Sequence, residues 1–275
     1  LFPEFYELLN KHFDTKYSER FWKIILGHWF RKALKLLLNR VNTLKQCFQL
    51  YEISGTTVYK NDDYPLSTLD LKSLEVAFGN DIWNNVLNSR IIDLFENSSL
   101  HIELIEKKDK NESTIIKSKS FSNFKSLKGS IFNWFISGYI KVARIFIKKD
   151  DAFIINSYLP TKEEIKLEFA LGQWPQIWKF YNNDLNFLKI SNKNDSLLRK
   201  NLTKKFTYKS DCELENIVRL LLFELLPICY LEGFKELKEI SNKLPWPESP
   251  KFIFTSVNFS ADEVFKIWTA SKVEL

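Results

Sequence analysis

The chain has 275 residues, enough to bury a sizeable core in one large domain, or in one domain and the start of another. Its 45% hydrophobic and 27% charged residues are those of an ordinary globular protein, which excludes a fibrous or disordered chain. The net charge of +6 is carried by lysines scattered among acidic residues, so it reads as a solvated basic surface before a nucleic-acid-binding face.

The sequence contains no methionine and opens at Leu1 in mid-pattern, so it reads as an internal piece of a longer protein. Cys47, Cys212 and Cys229 are far apart and form no CxxC pair, which points to neither a zinc site nor a disulfide framework. The chain is therefore expected in the reducing cytoplasm. Two apolar stretches, 21–38 and 217–231, are broken by charged residues and by Pro227, and so read as buried helices and not as membrane spans.

In chain order, 3–13 reads as a short helix. Ser18 is a good N-cap for a long helix running to about residue 51, in which Phe21, Ile24, Ile25, Trp29, Ala33 and Leu36 recur at helical spacing. Trp22 and Trp29, seven apart, share a face turned to the domain body. Arg20 is placed with them as a substrate-binding candidate. A short strand is expected at 56–59, helices at 67–78 and 81–94 with Gly79-Asn80 as the break, and a strand at 101–106. A polar loop at 107–120 precedes a helix at about 122–148.

Residues 151–156 form a short apolar run of the kind a buried parallel strand shows. A helix follows from Pro160, with Glu163 and Glu164 suited to the dipole of its first turn. The polar stretch 182–210 reads as an irregular connection. A long helix from Asp211 to about Asn242 is allowed a kink at Pro227. Residues 244–250, with three prolines, read as a stiff interdomain linker. A second apolar strand at 251–255 and a helix at 260–272, capped by Ser260, then read as the first βα unit of a new domain. The expected division is 1–243, 244–250 and 251–275.

No glycine-rich phosphate loop, no GxSxG elbow and no close pair of histidines is present, so neither a metal site nor a cofactor is expected. Three places remain. Tyr158-Leu-Pro-Thr-Lys162 leads from a strand's carboxyl end into a helix, where open α/β sheets bind ligands, or is an ordinary βα turn. Thr255, Ser256 and Asn258 stand beside a helix N-terminus able to hold an anion, or simply accompany a capping serine. Glu232, next to Gly233 within an apolar stretch that reads as helix, is the candidate catalytic carboxylate or a surface glutamate.

Residues 18–29 (SERFWKIILGHW), 157–160 (SYLP) with 171–178 (LGQWPQIW), 226–234 (LPICYLEGF), 244–247 (LPWP), 250–256 (PKFIFTS) and 262–265 (DEVF) occur in order across most of the chain. With these motifs the chain resembles a family of transferases found in bacterial O-antigen and other surface-carbohydrate gene clusters. The family is similar to two-domain (GT-B-like) glycosyltransferases. That resemblance implies an α/β fold: a helix-rich Rossmann-like N-terminal domain with parallel strands, and the start of a second Rossmann-like domain. It implies a nucleotide-sugar donor, a carbohydrate acceptor and direct displacement assisted by a carboxylate or His base. It also implies a cytoplasmic location at the inner face of the membrane, a Gln-His-Gly-Gly type loop beyond Leu275, and no turnover by these 275 residues alone. The other readings are a non-catalytic helical interaction module and a basic nucleic-acid-binding domain.

Overall fold

The computed structural model describes residues 1–59, 64–95, 101–105, 138–139, 142–176, 178, 193–206 and 210–274. They divide between two compact units. The first comprises Leu1–Trp22, Leu26–Ser118 and Ser191–Phe234; the second comprises Lys23–Ile25, Lys119–Ile190 and Lys235–Leu275.

The first unit is built on helix α1 (Phe2–Phe13) and the long helix α2 (Glu19–Leu50). Pro3 stands in the first turn of α1, where a missing N–H costs nothing, and Asp14 ends the helix in the left-handed conformation at φ 53°. Ser18 caps α2, its Oγ accepting from Phe21 N at 3.2 Å. Trp22 and Trp29 are fully buried, as their shared face requires. Trp22 stacks on Phe13 and Phe234, and its indole N–H donates to Asn10 Oδ1 at 2.9 Å. Arg20 is exposed, which corrects its expected inward placement: two residues from Trp22 on a helix is the opposite side.

Strand β1 (Gly55–Tyr59) leads to α3 (Leu71–Ala77) and α4 (Asp81–Ile92), capped by Asp70 and Asn80, and then to β2 (His101–Ile105). The two strands pair in parallel, Gly55 opposite His101. A Cβ at Gly55 would lie 2.7 Å from the His101 carbonyl oxygen, so that close approach needs glycine. The helix expected at 122–148 lies mostly outside the described residues; of its end, Arg144–Phe146 is a 3-10 turn.

In the second unit, β3 (Phe153–Ile154) is followed by α5 (Thr161–Ala170). The stretch 182–210, expected to be irregular, contains in its described part α6 (Ser196–Phe206), which belongs to the first unit. Only Arg199, Leu202 and Phe206 of α6 are buried, so its polar composition hides the helix.

The expected helix 211–242 is interrupted. Helix α7 (Glu213–Leu225) begins after Cys212, a 3-10 turn spans Ile228–Tyr230, and α8 is Phe234–Asn242. Pro227 pushes Leu226 to extended backbone. Ile228 and Cys229 then donate to the Thr68 and Leu69 carbonyls at 2.8 and 3.1 Å, bonds that no helical chain could make. Gly233 lies in the turn, not within a helix, its N–H donating to Ile228 O at 2.9 Å.

Strand β4 (Ile253–Phe254) pairs in parallel with β3, Phe153 opposite Ile253 and Ile154 opposite Phe254. The short helix α9 (Asn258–Ala261) and α10 (Glu263–Val273) follow. Asp262, not Ser260, caps α10, accepting from Phe265 N at 2.9 Å. Phe153, Ile155, Trp178, Trp246, Phe265 and Trp268 form one buried cluster. The Trp246 ring lies 4.8 Å from Phe153 and 5.0 Å from Trp268. The Pro-rich segment 244–250 therefore contributes a core residue and is no linker between units. Residues 251–275 share a sheet and a core with 151–155 instead of opening a separate body. Proline content alone could not reveal that the tryptophan among the prolines packs inward. Among the described residues no helix is long and apolar enough to cross a membrane.

Candidate functional site

In the second unit, the loops leaving the carboxyl ends of β3 and β4 are tied to each other. Ser256 N donates to Asn156 O at 3.1 Å and Ser256 Oγ to Ser157 O at 2.9 Å. Asn156 Nδ2 donates to Asn258 Oδ1 at 2.8 Å, and Thr255 Oγ1 donates to the same oxygen at 3.0 Å. Asn258 is 2% exposed and sends its own amide toward Asp262 Oδ2 at 3.4 Å, so it is the hub of the two loops. Ser157 Oγ donates to the buried Glu164 carboxylate and accepts from Leu159 N at 3.2 Å, which pins the loop to α5.

Between these anchors the backbone turns left-handed at two non-glycine residues, Asn156 at φ 48° and Tyr158 at φ 60°. Asparagine adopts this conformation readily; a bulky aromatic residue rarely does. Tyr158 is 77% exposed. Lys162, in the first turn of α5, is exposed as well. The expected substrate-binding residues Tyr158, Lys162, Thr255, Ser256 and Asn258 thus gather at one edge of one small sheet. Thr255, Ser256 and Asn258 spend their polar groups on holding the loops, whereas Tyr158 and Lys162 are presented to solvent.

Further along α5, one turn from Glu164, Glu168 is 1% exposed. Its Oε2 accepts from Gln176 N at 2.8 Å, and Oε1 has no hydrogen-bond partner among the described residues. Burial pushes its pKa from 4.5 to about 7 against the opposing Gln176 N–H, and the nearby Glu164 and Asp151 add to the rise. The Gln173 amide works against the rise without reaching hydrogen-bond geometry to Oε1. Gln173 itself grips Ala152, accepting from its N–H at 2.8 Å and donating to its carbonyl at 2.9 Å. Sequence reasoning missed Asn156, Glu168 and Gln173; the i, i+4 pair Glu164 and Glu168 was the available signal. Among the described residues no group of three or more His, Cys, Asp or Glu is arranged to hold a metal ion.

Arg20 and Glu232 belong to the first unit. Both Glu232 oxygens are engaged. Oε1 accepts from Arg199 Nε at 2.7 Å and from Asp195 N at 3.0 Å, and Oε2 accepts from Arg199 Nη2 at 2.6 Å. Arg199 Nη1 also donates to the Phe223 and Leu226 carbonyls, each at 2.6 Å, orphaned where α7 ends. A carboxylate paired with a buried guanidinium is held in its charged form and has little freedom to move toward an acceptor. Glu232 is thus the counter-ion that fastens the break after α7 to α6, a structural role for the residue expected to be catalytic.

Paired loops at the carboxyl ends of parallel strands are the place where α/β proteins that bind small ligands carry their sites. The family model of the LIC12162 family transferase matches residues 1–275, and the chain belongs to that transferase family. No curated protein and no solved structure matches it.

Proposed function

We propose that this chain is part of a transferase acting on a nucleotide-activated sugar in surface-carbohydrate synthesis, and that the joined loops after β3 and β4 are its donor-facing edge. The observation that carries the reading is the parallel β3–β4 pair. Its outgoing loops are locked together through Asn258 and present Tyr158 and Lys162. A site held by buried polar ties loses little entropy when it binds, and such positioning is the main resource of a group-transfer enzyme. Lys162 supplies a positive charge at the N-terminal end of α5, beside Glu163 and Glu164 of the same turn, and is the cation offered to a diphosphate there.

In the proposed reaction an acceptor hydroxyl oxygen attacks the sugar's anomeric carbon. The new C–O bond forms as the bond to the diphosphate breaks, the nucleoside diphosphate leaves with the electron pair, and the hydroxyl proton passes to a base. A Rossmann-like, GT-B-like arrangement with a second domain is part of the same reading.

The test is a thermal-shift and calorimetric screen of the full-length protein against nucleotide sugars, with acyl-coenzyme A and S-adenosylmethionine as other group donors. Saturable binding of a nucleotide sugar, weakened about tenfold in Lys162→Ala by loss of one charge-assisted contact, is expected. Binding of another donor class alone would sink the reading.

A further inference from the structure

We propose that Tyr158 is a stacking platform for the base of the nucleotide donor; the inference rests on the reading just given and deepens it. Two observations meet at this residue. Its backbone is left-handed at φ 60°, a conformation unfavourable for a bulky side chain, and a glycine there would satisfy the turn without strain. The residue is 77% exposed, so the fold recovers little burial from keeping an aromatic at that position. Asn156, two residues earlier, is also left-handed, at φ 48°, and there the residue type suits the conformation. The tyrosine is the misfit.

The strain is held from both sides. Ser157 is fixed through Glu164 and through Ser256 Oγ, and Leu159 N donates back to Ser157 Oγ at 3.2 Å. The ring therefore stands on a backbone tied on both sides, in the loop that leaves a parallel strand, and is exposed to solvent. Strain that the surroundings enforce and the fold does not need is the mark of a functional position. A rigid, exposed π-face with only two side-chain torsions binds a flat heteroaromatic ring at small entropic cost, and every nucleobase offers such a face. The neighbouring Lys162 lies four residues on, in the first turn of the next helix, placed for the phosphates that follow the base.

The experiment uses the full-length protein and its Tyr158→Gly and Tyr158→Phe variants. Thermal unfolding is measured with and without nucleoside diphosphates and their sugar conjugates, and affinities by calorimetry. The glycine variant is expected to melt at the same temperature or a few degrees higher, since strain is relieved, yet to bind the nucleoside diphosphate about 10- to 100-fold more weakly. The phenylalanine variant is expected to bind as the parent does. Undiminished binding by Tyr158→Gly overturns the stacking role and leaves the proposed function standing. Loss of affinity for the sugar conjugate without loss for the nucleoside diphosphate overturns the assignment to the base. A lowered melting temperature in Tyr158→Gly overturns the claim that the ring serves a ligand and not the fold. If the parent binds no nucleotide, this inference and the proposed function fall together.

Discussion

Arg199 and Glu232 meet through two parallel hydrogen bonds, Nε to Oε1 at 2.7 Å and Nη2 to Oε2 at 2.6 Å, with both side chains buried. The remaining guanidinium nitrogen caps the two carbonyls freed where α7 stops. The pair thus stabilises a helix break that Pro227 starts and that the Thr68 and Leu69 carbonyls complete from a distant segment. Buried charge is tolerated here because all three guanidinium nitrogens and both carboxylate oxygens are hydrogen-bonded.

Glu232→Gln keeps the shape and strips the counter-ion from a buried guanidinium. The variant is expected to lose about 3–5 kcal/mol of folding stability, read by urea denaturation. The kcat of the full-length enzyme, per folded molecule, should stay where it was. A fall of about 10²–10⁴ in kcat with stability intact would restore Glu232 as a base.

Trp246 is 5% exposed among the rings of Phe153, Phe265 and Trp268, although it stands in a segment of three prolines. Trp246→Ala should therefore cost about 3–5 kcal/mol, the usual range for a large aromatic removed from a core. A linker residue would cost nearly nothing, so a change below about 0.5 kcal/mol would contradict the core described for the second unit.

What the sequence made legible follows local rules. The Ser18 cap, the shared face of Trp22 and Trp29, and the short apolar runs at 151–156 and 251–255 each depend on a few neighbouring residues, and the strands at 153–154 and 253–254 fall within those runs. What escaped was decided at long range. Glu232 and Arg199 are 33 positions apart, and nothing near either residue announces the other. The break after α7 depends on carbonyls more than 150 positions earlier. Helix α6 was concealed because one of its three buried positions is an arginine, which periodicity counts as polar. The left-handed Tyr158 is invisible for the opposite reason: sequence rules assign such backbone to Gly or Asn, and this position breaks them.

Two glycines separate packing from propensity. At Gly55 a methyl group would meet the His101 carbonyl oxygen at 2.7 Å, so Gly55→Ala should cost about 1–3 kcal/mol as β1 and β2 are forced apart. At Gly27, within α2, nothing lies within 4 Å, and Gly27→Ala should add about 0.5–1 kcal/mol through better helix propensity. Equal effects of the two substitutions in thermal unfolding would contradict the strand register.

Glu168 is expected to make stability fall as pH rises. Burial raises its folded pKa from 4.5 to about 7, helped by Glu164 and Asp151. Below pH 4.5 the carboxyl is protonated in the folded and unfolded chain alike, and its contribution to folding is fully present. Between pH 4.5 and about 7 the unfolded chain ionises first, so this contribution drains away, levelling off once both states are charged. At about 1.4 kcal/mol per pH unit the loss amounts to about 3 kcal/mol. Glu168→Gln retains an acceptor for the Gln176 N–H but cannot ionise. Its amide group, placed where Oε1 finds no partner, should lower stability at pH 5. The diagnostic quantity is therefore the slope: urea unfolding of parent and variant at pH 5, 6, 7 and 8 should show the parent losing its advantage step by step. Parallel curves for the two proteins across that range would mean that Glu168 is already charged at pH 5 and that its burial is compensated in the folded chain.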